Sequence, residues 1–257
     1  MKKIITLLLI FALLLSFAAC GSEKTQNDSE NTSTASQSEK NTGNDDTDET
    51  GENENKISGE LDDIISKDVE DTIAALNVEY EKLVKDIDTY KKYLDNTDRM
   101  EAFYEKVYED TKQLGIRMRE YSIAYAELIL SSDTSNDDKY DEFEKIYDCI
   151  YDDAGDEIYD NIYDGILDDI YDNFYAGILD DAYDNAPYDE WSDARSNEYD
   201  LWSDTRSDVY DEWSDTRSDV YDFCSDMRGE LWDNDIEKAE DEIKDFKEDV
   251  EKLKGNR

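Results

Sequence analysis

The stretch YDEWSDTRSDV, residues 210–220, belongs to a set of four eleven-residue units that decide the fold. The other units are YDEWSDARSNE (188–198), YDLWSDTRSDV (199–209) and YDFCSDMRGEL (221–231). Eleven residues complete about three turns of an α-helix, so each unit places the same side chains on the same face. We therefore predict one uninterrupted helix, which Pro187 either starts or kinks.

The tail that follows the four units changes to the seven-residue spacing of a coiled coil. Its last turn is rich in lysine, which suits the C-terminal end of a helix dipole. If the helix continued unbroken from 187 to 254, it would extend about 100 Å and the protein would be a rod. The apolar positions of the tail are Ile236, Ala239, Ile243, Phe246, Val250 and Leu253.

Residues 146–185 repeat in fours, as in IYDN, IYDG and ILDD, and these tetrads group in twelves. Four residues rotate about 400° around an α-helix, so the Ile-Tyr pair drifts by about 40° in each tetrad. This drift predicts either burial on several sides or local unwinding at Gly155, Gly165 and Gly177. Tyr-Asp-Gly and Tyr-Asp-Asn are also hairpin turn signals, but the strands between them would be too short. A helix is the favoured interpretation.

Residues 57–135 are predicted to form a helical hairpin, because two apolar stripes have helical spacing. Asn96-Thr97-Asp98 supplies a turn and an N-cap between them, and 131–138 is the next polar break. The predicted fold class is all-α, an elongated helical bundle or coiled coil in which long repeat helices occupy 136–257. One stripe is Leu61, Ile65, Val69, Ile73, Leu76, Tyr80, Leu83, Ile87, Tyr90 and Leu94; the other is Met100, Phe103, Val107, Thr111, Leu114, Met118, Tyr121, Tyr125 and Leu128.

The N-terminus has the features of an export signal. A basic Met1-Lys2-Lys3 precedes an apolar run that is too short to span a bilayer, and Ser16-Phe17-Ala18-Ala19 leads into Cys20. This segment resembles the lipobox of bacterial lipoproteins, although Phe17 stands where that family usually has leucine. The resemblance implies a signal peptide over 1–19, a lipid on Cys20 and attachment to the extracytoplasmic face of the cell membrane. An ordinary secretory signal is the alternative.

The amino-acid composition limits the classes of partner that the protein can attract. The chain has 71 acidic and 27 basic residues, a net charge of −44 that becomes −46 once Lys2 and Lys3 are lost with the signal. Such a field repels nucleic acid and anionic lipid, and it attracts cations and basic proteins or peptides. The segment 20–56 lacks aromatic residues and is predicted to be a disordered acidic tether.

No catalytic function and no cofactor are predicted. The chain has no histidine, no glycine-rich phosphate loop and no nucleophile elbow. Solute-binding lipoproteins usually have α/β folds rich in glycine and proline, whereas this chain has one proline. The expected role is a structural spacer or a protein-interaction module, with a cation- or solute-binding lipoprotein as the alternative. The sequence also leaves oligomerisation possible.

An arginine recurs once in each unit, and we call the four together the arginine ladder. A tryptophan (cysteine in the fourth unit) precedes each arginine by four residues and an aromatic residue follows it by four, a cation–π setting. No aspartate lies three or four residues from any of these arginines, the spacings at which side chains on one helix pair. A carboxylate from the tetrads, or from another molecule, should therefore meet each guanidinium. The candidate binding residues are Arg195, Arg206, Arg217, Arg228, Trp191, Trp202, Trp213, Tyr199, Tyr210 and Tyr221.

Specific metal sites are not predicted. Aspartates at 200, 204 and 208, and at 211, 215 and 219, share a helix face, but this spacing rarely supplies the oxygens that calcium needs. The fragment 46–51 resembles the start of an EF-hand loop, yet Ile57 stands at the position of the closing glutamate. Cys149 and Cys224 are expected to be small apolar fillers, with a disulfide as the alternative.

Overall fold

The computed structural model describes residues 51–255, and side chains from residue 63 onward. Within that part of the chain the fold is an all-α bundle of six helices without strands, as predicted. The predicted signal peptide, Cys20 and residues 21–50 of the predicted tether lie outside it, whereas residues 51–56, which were predicted to be disordered, belong to the first helix. No helix between 51 and 255 is long and apolar enough to cross a membrane. The helices are α1 (Gly51–Asp86), α2 (Tyr90–Leu94), α3 (Thr97–Leu130), α4 (136–182), α5 (Tyr188–Trp232) and α6 (Ile236–Gly255).

The first three helices form the predicted hairpin. From Ile65 onward the residues of both apolar stripes are buried or partly buried, and the rings of Tyr80 and Phe103 lie 6.4 Å apart between α1 and α3. A break at 87–89 interrupts the first stripe and sets α2 off as a short separate helix. Asn96 holds the N-cap position of α3, but its side chain forms no capping bond with a backbone N–H; it donates to the carbonyl of Lys92 and accepts from the guanidinium of Arg99.

Helix α4 alternates between α-helical and π-helical geometry. Its first twelve residues, Asn136–Tyr147, are α-helical and begin with a capping box at Ser135. Short α-helical turns then separate three π-helical segments, in which the backbone hydrogen bonds run from i to i+5. The π-helical segments are Asp148–Ala154, Tyr159–Ile166 and Tyr171–Leu179.

The π-helical segments show that α4 is locally unwound, which was one of the two interpretations of the tetrads. Every fourth residue from Ile146 to Phe174 is buried, so the tetrads share one face and α4 winds at about four residues per turn. The alternative, in which the tetrads circle the helix, is wrong. Gly165 and Gly177 lie inside π-helical segments, where an added Cβ would come 3.0 and 2.9 Å from the carbonyl oxygen five residues earlier.

Helix α5 begins directly after Pro187, which therefore starts the helix and does not kink it. Its 45 residues extend about 68 Å. Besides the positions of the arginine ladder and its tryptophans, α5 buries a second set of positions. Ala194, Thr205, Thr216 and Met227 recur every eleven residues and are all buried.

The predicted rod from 187 to 254 is wrong, because the chain reverses after Trp232. Asn234 has a φ of 59°, a left-handed conformation that asparagine tolerates better than most residues. The reversal places α6 against α3 and α5, so its apolar stripe is buried inside the bundle. Phe246 of α6 stacks on Phe223 with ring centroids 4.4 Å apart. Lys254 of α6 pairs with Glu120 of α3.

Candidate functional site

The aromatic seam is the contact between α4 and α5, which run antiparallel. Each of the three repeat tryptophans donates a hydrogen bond from its indole Nε1 to a main-chain carbonyl of α4. Successive donors are eleven residues apart and successive acceptors are twelve apart, so the two helices stay in register. The acceptors are Leu179 for Trp191 at 2.6 Å, Leu167 for Trp202 at 2.9 Å and Gly155 for Trp213 at 2.8 Å.

Carboxylates of α4 pair with the arginine ladder at the same spacing. The arginines step by eleven residues and these partners step by twelve in the opposite direction. All four carboxylates come from within the chain: three belong to the tetrads, which was one of the two alternatives, and Glu144 precedes them. The pairs are Arg195–Asp180 at 2.9 Å, Arg206–Asp168, Arg217–Asp156 at 3.7 Å and Arg228–Glu144 at 3.8 Å.

Two aromatic rings flank each guanidinium in the first three units. One ring is the tryptophan four residues earlier, as predicted. The second is a tyrosine of α4 and not the α5 tyrosine four residues later, because that tyrosine packs on the α4 tyrosines instead. Arg217 lies 4.7 Å from the ring centroid of Trp213 and 3.8 Å from that of Tyr151. Corresponding tyrosines face Arg195 at 4.1 Å (Tyr175) and Arg206 at 4.1 Å (Tyr163).

Burial decides how much of the predicted binding face remains accessible. The arginine side chains are 17 to 32% exposed and are paired within the bundle. The tryptophans of the first three units are half-buried in the seam. Tyr199, Tyr210 and Tyr221 are 44, 43 and 51% exposed, and they form the outer edge of the seam. The predicted face is therefore mostly an internal contact.

The fourth unit differs because Cys224 occupies the tryptophan position. A groove of about 590 Å³ lies beside it, and we call it the fourth-unit groove. Arg228 lines the groove and lies over the Tyr140 ring, 4.2 Å from its centroid, while its Nη2 donates to the Tyr140 hydroxyl at 2.9 Å. Among residues 63–255, no second ring flanks this guanidinium as the tryptophans do in the other units. Further walls of the groove are Tyr147, Tyr221 and Trp232.

Two ionisable groups that line the groove have raised pKa values. Burial raises the pKa of the Cys224 thiol to about 12, so the thiolate that would act as a nucleophile is not formed near neutral pH. Burial, with the nearby charge of Glu144, also raises the pKa of Asp148. Cys224 and Cys149 are both buried and are not joined to each other, which agrees with the expected filler role.

A second polar site, which the sequence analysis missed, lies between α2, α3 and α5. Glu198 is fully buried, and the hydroxyls of Tyr93 and Tyr104 each donate to its carboxylate at 2.7 Å. Burial raises the pKa of Glu198, and these two hydrogen bonds oppose that shift. Glu198 occupies the unit position that holds Val209, Val220 or Leu231 elsewhere, and this departure was the available signal.

A buried arginine joins α3 to α5. Arg119 is 2% exposed, and its guanidinium pairs with Glu212 at 2.9 Å and Asp219 at 2.8 Å. Gly115, one turn earlier, lets the two helices approach closely, because an added Cβ would meet Thr216 and Glu212. This contact employs Asp219, one of the aspartates considered above for cations. Among the described side chains, no cluster of three or more potential metal ligands exists.

Comparison with known proteins gives no family assignment: no family model, curated protein or solved structure matches this chain.

Proposed function

We propose that this protein is a surface-anchored, non-catalytic lipoprotein whose helical bundle acts as a structural spacer. The observation that carries the proposal is the register of the aromatic seam, in which steps of eleven residues on α5 meet steps of twelve on α4. The repeated tryptophans and arginines are engaged within the molecule, so the repeats serve the length and stiffness of the bundle. Attachment through a lipid on Cys20 rests on the lipobox resemblance.

A role in protein interaction is the second candidate, and charge selects the partner class. A net charge of −44 favours basic proteins or peptides and disfavours nucleic acid. The fourth-unit groove is the observation that supports this candidate, since its aromatic walls remain open to solvent. A cation- or solute-binding role has less support, because the groove is an open cleft and not a closed polar cavity.

Lipid attachment is tested by labelling the full chain in cells with a fatty-acid probe. Wild type and Ser22→Ala should incorporate the probe and sediment with membranes, whereas Cys20→Ala should do neither. Equal labelling of Cys20→Ala and wild type would refute the anchor.

The spacer role is tested by joining residues 1–50 to an unrelated acidic helical bundle of similar length. A spacer predicts that this chimaera replaces the protein in a deletion strain and reverses any growth or envelope change that the deletion causes; failure to reverse such a change while correctly anchored favours the interaction role.

A further inference from the structure

We infer that the fourth-unit groove binds a tryptophan side chain presented by a basic segment of a partner protein. Such binding depends neither on the lipid anchor nor on the spacer role. Three observations support it: the occupants of the equivalent positions in the other units, the single aromatic neighbour of Arg228 among the described residues, and the charge of the groove.

The other units show which group fits the position. In the second unit the Trp202 ring packs on Tyr171 with centroids 4.7 Å apart, and in the third the Trp213 ring packs on Tyr159 at 4.9 Å. Twelve residues before Tyr159 is Tyr147, which faces Cys224 across the fourth-unit groove. The tyrosine surface is therefore present while the indole is missing. Tyr147 stacks on Tyr151 with centroids 4.6 Å apart, as Tyr159 does on Tyr163, and the ring of Tyr221 packs edge-on against Tyr147 at 5.6 Å.

Between residues 63 and 255, Arg228 lacks the second aromatic neighbour that the other arginines of the ladder have. Arg206 and Arg217 have a tyrosine on one face and a tryptophan on the other. Arg228 has Tyr140 as its single aromatic neighbour among the described residues, and it lines the groove together with Cys224, which takes the tryptophan position. An indole inserted there would gain a cation–π contact with the guanidinium and an aromatic contact with Tyr147. Leucine or alanine could form neither contact.

The charge of the groove indicates which kind of protein segment presents the tryptophan. Glu144, Asp148 and Asp233 line the groove together with Arg228, so the lining has an excess of negative charge. Lysine or arginine beside the inserted tryptophan would complement these carboxylates. A second copy of this chain could offer Trp232, which is 79% exposed, but each copy carries a net charge of −44 and the two would repel. A basic partner segment is therefore the occupant that the structure favours.

The test uses the peptide acetyl-KKWKK-amide with 5-fluorotryptophan, observed by ¹⁹F NMR while the full chain is added at moderate salt. A saturable change in the fluorine signal is expected, and unlabelled KKWKK should displace the probe. KKAKK should compete at least about tenfold less well, since it retains the charge and loses the ring contacts. Equal competition by the two peptides would overturn the inference, because attraction would then be electrostatic only.

Two variants locate the site on the protein. Cys224→Trp completes the repeat and fills the groove, so binding should weaken at least about tenfold, whereas Cys224→Ala leaves the groove open and should bind like wild type. Trp232→Ala removes an exposed wall of the groove without touching the core, and it should also weaken binding. Unchanged binding by both folded Cys224→Trp and Trp232→Ala would refute the assignment. If Cys224→Trp does not fold, the Trp232→Ala result decides.

Discussion

Trp202 donates a hydrogen bond of 2.9 Å from its indole Nε1 to the carbonyl of Leu167, and the same contact recurs eleven residues later on α5 and twelve residues earlier on α4. In a plain α-helix, twelve residues overshoot three full turns by about 120°, so the acceptors would leave the seam after one repeat. The π-helical segments hold more residues per turn, so twelve residues of α4 complete three full turns and the acceptors stay on the seam. The register of the seam therefore depends on the backbone geometry of α4.

Alanine at Gly165 or Gly177 should disturb this geometry. The added Cβ would lie 3.0 or 2.9 Å from the carbonyl oxygens of Asp160 or Asp172, which are backbone atoms that cannot rotate away. We expect each variant to lose about 1–3 kcal/mol of unfolding free energy, measured by denaturant titration. If α4 were a regular α-helix, alanine would stabilise it instead, by up to about 1 kcal/mol. A gain in stability would therefore contradict the π-helical segments.

The all-α class and the helical hairpin were predictable, because apolar spacing reports helices directly. The winding of α4 was not fixed by the tetrads, which are compatible with several buried sides or with an unwound helix. The burial of Ile158, Ile162 and Ile166 on one face decides between them, and that burial depends on α5. The reversal at Asn234 was missed because the apolar positions of α6 are compatible with a continuation of α5.

Gly115→Ala tests the close approach of α3 and α5. The added Cβ would meet Thr216 Oγ1 and Glu212 Oε1 and would come 3.0 Å from Arg119 Nη1, so the network around Arg119 would have to shift. We expect a loss of about 1–3 kcal/mol in unfolding free energy. Gly229→Ala is the matched control, since nothing lies within 4 Å of its added Cβ. That control should gain roughly 0.5–1 kcal/mol; equal effects of both substitutions would show that α3 and α5 are not in close contact there.

The arginine ladder should stabilise the seam. Arg206→Ala and Arg217→Ala together leave Asp168 and Asp156 without their partners and remove the cation–π contacts with Trp202 and Trp213. At about 1 kcal/mol or more for each site, the double variant should melt at least about 5 °C below wild type. Ser207→Ala, at an exposed position of the same helix, should not change the Tm. A double variant that melts like wild type would mean that the seam does not depend on the ladder.

The two most specific sites are places where a unit departs from the repeat. Cys224 replaces tryptophan and opens a groove, whereas Glu198 replaces an apolar residue and forms a buried hydrogen-bonded site. Both departures are visible in the sequence, but the groove and the buried hydrogen-bonded site that they form are not. The partners Tyr93, Tyr104 and Tyr147 lie on other helices, and only packing brings them to these positions.

Glu198 should make stability depend on pH. Its pKa in the folded protein is raised above the ordinary value of 4.5, chiefly by burial, so the folded state holds this proton more tightly than the unfolded state. The resulting stabilisation is fully present below pH 4.5 and is lost as pH rises through the folded pKa. The protein should therefore melt at a lower temperature at pH 7 than at pH 5.

Glu198→Gln isolates this contribution. The amide cannot ionise, and its oxygen and nitrogen can bond one tyrosine hydroxyl each, so the fall in Tm between pH 5 and pH 7 should become smaller. Asp200→Asn is the matched control because it removes the same charge from an exposed position of α5. Measuring both variants at moderate salt screens the self-repulsion of the acidic surface, which also weakens on acidification. If the two variants have the same dependence of Tm on pH, Glu198 is not the buried carboxyl responsible.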